Sequence, residues 1–68
     1  MTAAEFRSIR LRLGLTQPQL AGLLAYRRPH YISMLEGETA SSRSVPVHVA
    51  MLMQAFADGY RPANWPKA

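Results

Sequence analysis

The sequence predicts an all-α fold, a compact bundle of four helices with room for a fifth, and three observations lead there. Apolar residues recur at spacings of three and four, the period of a helix with one buried face. The stretches that carry this recurrence open on helix-starting residues, namely Thr2, Thr16, Pro29 and Pro46, and the first and last close on Gly14 and Gly59. No stretch alternates apolar and polar residues as a half-buried strand would, and no segment repeats.

The first helix is expected from about Ala3 to Leu13. Thr2 caps it, Phe6, Ile9 and Leu13 share one face, and Gly14 supplies the stop. Leu11 points away from that face. The second helix opens on a capping box, Thr16 with Gln19, and carries Pro18 in its first turn, where a missing N–H costs nothing. Leu15 can staple back onto it, and Leu20, Leu23 and Leu24 form its buried stripe before it ends near Ala25. So short a helix cannot persist without its neighbours.

Pro29 fits the first position of a third helix, with Ile32 and Leu35 one turn apart and facing inward. The 100° helical step then sets His30, Ser33, Met34 and Gly37 outward and Glu36 at the margin of the core. Arg28 offers no acceptor to the first N–H groups of this helix, so an anion is expected there. After the polar loop "GETASSRS", Pro46 opens a fourth helix that runs to about Ala57. Val45, Val49, Leu52 and Phe56 make its core stripe. Val47, Met51, Gln54 and Asp58 make a second stripe, which either meets a partner or stays exposed to solvent, and Met51 and Met53 straddle the two. The tail "YRPANWPKA" can be ordered only by docking Tyr60 and Trp65. The chain thus divides into a helical domain, 1–59, and a Pro/aromatic tail, 60–68, that docks on the domain or on a dimer partner.

Sixty-eight residues bury a modest core, so tight packing or self-association is needed for stability. Eight Lys and Arg against four Asp and Glu give a net charge of +4. Seven of the eight are arginine, the side chain best suited to bidentate phosphate and base contacts, which suggests a polyanionic partner. The absence of cysteine removes disulfides, thiolate metal sites and thiol catalysis. No apolar run approaches a membrane span and the first ten residues lack the layout of a signal peptide, so a soluble cytoplasmic protein is expected. His30 and His48 have no carboxylate or thiol at ligand spacing, and the single aspartate, Asp58, lies at a helix end. Neither a metal site, a cofactor nor a catalytic constellation is therefore expected, and the chain is not read as an enzyme.

"LGLTQPQLAGLLA" (13–25) followed by "YISMLEGE" (31–38) resembles the helix-turn-helix DNA-binding domain of the phage-repressor (Cro-like, XRE) type. The resemblance covers roughly residues 5–57 and rests on Arg10, Thr16, Gln17, Ala21, Ile32, Leu35 and Glu36 matching together. It implies that helices 2 and 3 form the helix-turn-helix, with helix 3 in the major groove. It also implies a partly buried ion pair between Arg10 and Glu36, both of which lie just off their helices' apolar faces. Ala21 is small where two helices must approach closely. Two departures stand out. Ala25 occupies the turn where the family usually has glycine, and the stretch from Thr16 to Ile32 is one residue longer, which should share out the chain reversal without one strained residue.

The expected base contacts are Arg28, Pro29, His30, Ser33 and Met34. The expected phosphate contacts are Gln17, using side chain and backbone N–H together, with Arg27, Tyr31, Ser42 and Arg43. Arg7, Arg12 and Arg61 are expected to be solvated or to contribute to the long-range field. A homodimer is expected on a palindromic double-stranded DNA operator, with Val47, Met51 and Gln54 joined by Tyr60 or Trp65 at its interface. The resemblance implies a transcriptional repressor, autoregulating a small phage or bacterial operon such as an anti-CRISPR operon, associated with the nucleoid through its DNA. Two alternatives stay open: an antitoxin-type module that neutralises a partner protein, and an RNA-binding regulator.

Overall fold

The computed structural model describes residues 1–37 and 44–66. Among these residues four helices follow one another: α1 (Ala3–Arg12), α2 (Gln17–Leu23), α3 (His30–Leu35) and α4 (Val47–Ala57). Among the described residues there is no strand, and no helix is long and apolar enough to cross a membrane. α2 packs on α3 and α1 on α4. One core joins them, built from Phe6 and Ile9 of α1, Leu15 of the first link, Leu20 and Ala21 of α2, Ile32 and Leu35 of α3, and Val49, Met53 and Phe56 of α4.

Capping boxes start the first two helices. The Glu5 N–H donates to the Thr2 hydroxyl (3.0 Å) and the Thr2 N–H returns to the Glu5 carboxylate (3.2 Å). These bonds hold the Glu5 carboxyl below its ordinary value. Gln19 and Thr16 make the same exchange at 3.2 and 2.9 Å. The Thr16 box is the one expected; at α1 only Thr2 was expected, although "TAAE" carries the same spacing. α3 has no side-chain cap, and Pro29, already helical at φ −59°, opens it.

All four helices run into a left-handed residue: Gly14 (φ +71°), Ala25 (+61°), Gly37 (+73°) and Gly59 (+109°). After α1, α2 and α4 the following N–H reaches back five residues, Leu15 to Arg10 O (3.3 Å), Tyr26 to Ala21 O (2.9 Å) and Tyr60 to Ala55 O (3.0 Å). These are Schellman closures, which tie up carbonyls that a helix end leaves without partners. Ala25 corrects the expectation that a longer link would dilute the reversal. The left-handed step falls on a single residue with a Cβ.

Two other expectations shift. In α4 the fully buried centre is Val49, Met53 and Phe56, with Val45 and Leu52 only partly covered. Val45 precedes the helix, so the buried stripe rotates toward Met53, whose flexible thioether fills the gap. The tail docks on its own domain. Trp65 meets Phe56 edge-on at 5.2 Å between centroids, and Tyr60 stacks nearly parallel to Phe56 at 6.1 Å. Arg61, expected to be solvated, lies 4.3 Å from the Trp65 ring centroid and donates to the carbonyls of Phe56 (2.8 Å) and Tyr60 (2.9 Å). It thereby caps the negative end of α4.

A left-handed residue with a Cβ costs about 1–2 kcal/mol, against about 0.5–1 kcal/mol of extra chain entropy that glycine loses on folding. Ala25→Gly should therefore stabilise the chain by about 0.5–1 kcal/mol and raise the unfolding midpoint by about 2–8 °C. Thermal melting followed by circular dichroism measures this, and a lowered midpoint would show that the turn carries no such cost.

Candidate nucleic-acid interface

The outer edge of α3 and the residues leading into it form a continuous exposed strip, Arg27, Arg28, Pro29, His30 and Tyr31. The strip is outward because its helix is pinned from behind. Ile32 is fully buried and Leu35 nearly so, and they lie one turn apart on the opposite face. Tyr31 also stacks on Tyr26 across the turn, with ring centroids 5.5 Å apart and planes at 26°. This contact braces the start of α3 against the end of α2. Spacing alone does not signal it, because it depends on the reversal at Ala25.

A polar network holds the other end. Glu36, just past α3, has no exposed side-chain surface. Arg10 approaches it with two nitrogens, Nε to Oε2 at 2.5 Å and Nη2 to Oε1 at 3.1 Å, while Nη1 donates to the Leu15 carbonyl at 2.9 Å. All three nitrogens of the guanidinium are thus engaged, and the fork-on-carboxylate geometry is the strong form of such a pair. The Arg10–Glu36 pair is therefore present, and more deeply buried than expected. Arg7, expected to be solvated, brings its Nε within 4.0 Å of Glu36 Oε1 and keeps about half of its side chain exposed.

Gln17 joins this network, which corrects the expectation for its side chain. Its Nε2 donates to Glu36 Oε1 (3.2 Å) and its Oε1 accepts from the Ser33 hydroxyl (3.1 Å). The amide turns inward because a buried carboxylate with room for another donor outcompetes solvent for it. Ser33 is half-buried in consequence, with its hydroxyl at the rim of the network.

The remaining expected residues divide. Met34 is corrected: it is buried, at 6% exposure, and so is no outward base contact. The helical step carries its Cα outward, but the long thioether lies under cover apart from the main core cluster. Ser42 and Arg43 lie outside the described residues. Val47 (76% exposed), Met51 (69%), Gln54 and Tyr60 all face outward, and Gln54 donates to Asp58 (3.2 Å). Trp65 is half-buried, with its ring against Phe56 and Arg61 of its own chain.

Removing Glu36 would strand a nearly buried guanidinium. Glu36→Ala should cost about 3–5 kcal/mol, a large part of the total stability of so small a domain. Urea unfolding monitored by circular dichroism tests this, and a free energy within 1 kcal/mol of wild type would mean that water enters and solvates Arg10 instead. Compared with protein-family models, with curated proteins and with solved structures, the chain shows no match.

Proposed function

We propose that this protein is a sequence-specific double-stranded DNA-binding regulator, a repressor that occupies an operator as a homodimer with α3 in the major groove. The observation that carries this reading is the exposed strip Arg27-Arg28-Pro29-His30, which leads into a helix whose opposite face and far end are locked by Ile32, Leu35 and Glu36. A short helix held by one face, with histidine at the start of the other and two arginines leading into it, suits entry into a groove about 12 Å wide. The α2–turn–α3 arrangement is the helix-turn-helix of this proposal. Ala21, 3% exposed, lets the two helices approach, and the buried Arg10–Glu36 pair fixes the second against α1.

In this reading Arg28 and His30 reach base edges first, with Pro29 between them, and Ser33 follows one turn later. Arg27 and Tyr31 lie against phosphates on either side. The net charge of +4 supplies long-range attraction to the duplex. The apolar residues Val47 and Met51, exposed near the start of α4, are the seam between two copies, with Gln54 and Tyr60 at its edge. Pairing there would set two α3 helices on successive turns of a palindromic site. Autoregulation of a small phage or bacterial operon is the setting we propose.

Two measurements test the proposal. Arg27→Ala should weaken duplex binding and reduce the slope of log affinity against log salt by about 0.9, the share of one phosphate contact. If titrations at several salt concentrations give the wild-type affinity and slope, Arg27 is outside the interface. Met51→Lys should convert a sedimenting dimer to a monomer that keeps its helical dichroism, because the side chain is exposed and contributes little to the core. A wild-type chain that sediments as a monomer with and without DNA would remove the dimer.

A further inference from the structure

The network behind α3 has a direction. Glu36, paired with the Arg10 guanidinium, is a carboxylate and carries acceptors only. Gln17 can approach it only with its NH2, and Nε2 lies 3.2 Å from Oε1 of Glu36. The reverse amide orientation would set oxygen against oxygen. With the NH2 so placed, the other end of the amide is Oε1, 3.1 Å from the Ser33 hydroxyl oxygen. A carbonyl oxygen has no hydrogen to give, so the hydroxyl must donate. Serine has one hydroxyl hydrogen, and this contact uses it. What Ser33 keeps for any other partner is a pair of acceptor lone pairs.

Resting on the reading of α3 as the groove-facing helix, we infer that Ser33 is a specificity residue that reads bases as an acceptor only. It selects a base amino group, N6 of adenine or N4 of cytosine, and rejects the acceptor edges of guanine and thymine in the same place. A free serine discriminates little, because its hydroxyl turns to suit either kind of edge. Here the negative charge of Glu36, relayed through the Gln17 amide, removes that freedom. Gln17 is then a positioning residue. It touches no base, yet it decides what Ser33 accepts.

The test begins with selection of bound duplexes from a random pool by wild type and by Ser33→Ala, and identifies the position whose preference the variant relaxes. At that position the base is replaced by its analogue lacking the amino group, purine for adenine or pyrimidin-2-one for cytosine. Separately, the purine of the pair is replaced by its 7-deaza analogue, which removes an acceptor. Loss of the amino group should weaken wild-type binding about three- to tenfold, the worth of one hydrogen bond, and leave Ser33→Ala unaffected. The 7-deaza change should cost both proteins equally. Ser33→Thr should restore the preference, and Gln17→Ala, which releases the hydroxyl hydrogen, should flatten it while the protein still binds. Melting curves confirm that each variant is folded. If the Ser33-dependent loss follows the 7-deaza change, if Ser33→Ala relaxes no position, or if Gln17→Ala keeps the full preference, the inference is overturned and the DNA-binding reading stands. If wild type selects no sequence at all, that reading falls, and this one with it.

Discussion

A carboxylate taken wholly out of water is the constraint that organises this chain. Removing such a group from solvent costs several kcal/mol even after the surroundings relax. The entire stability expected of 68 residues is only about 3–10 kcal/mol. Glu36 is tolerated because Arg10 from α1 and Gln17 from α2 reach it together. A slip of α3 by one residue would swing the carboxylate about 100° around the helix and away from both. The three helices therefore share one register or lose a charge pair, and apolar packing alone would impose no such condition.

Two of the helices this pair unites are too short to persist by themselves. α2 has seven residues and α3 six, below the length at which an isolated helix gains more from its hydrogen bonds than nucleation costs. Their order is tertiary. Leu20, Ala21, Ile32 and Leu35 supply the apolar seam, the Tyr26–Tyr31 stack closes one end and Glu36 the other. A six-residue helix fixed at both ends has little freedom to rock, so its exposed edge is presented in one orientation.

Much of this was legible in the sequence, and what was not has a common cause. Thr2, Thr16 and Gln19 act on their neighbours in the chain, so capping could be read locally, and the inward placement of Ile32 and Leu35 followed from helical period. The Arg10–Glu36 pair came from the resemblance; both residues lie near their apolar faces, but nothing in either helix names its partner. Gln17 could serve solvent, phosphate or a carboxylate, and only the approach of Glu36 in space decides among them. Met34 obeys the helical step in its backbone and departs from it in its flexible side chain. Ala25 broke a rule of residue preference that a longer link was expected to relax, and Arg61 found aromatic and carbonyl partners that charge alone does not announce. Local chemistry was visible; competition between distant partners was not.

The sole tryptophan, Trp65, lies edge-on to Phe56 and beneath the Arg61 guanidinium. This gives the protein an internal optical gauge of one region. Indole emission follows the docking of the C-terminal segment on α4, whereas far-ultraviolet dichroism sums over all four helices. Superimposable transitions from the two signals would mark a single cooperative unit, and an earlier fluorescence change would mark a tail that peels away first.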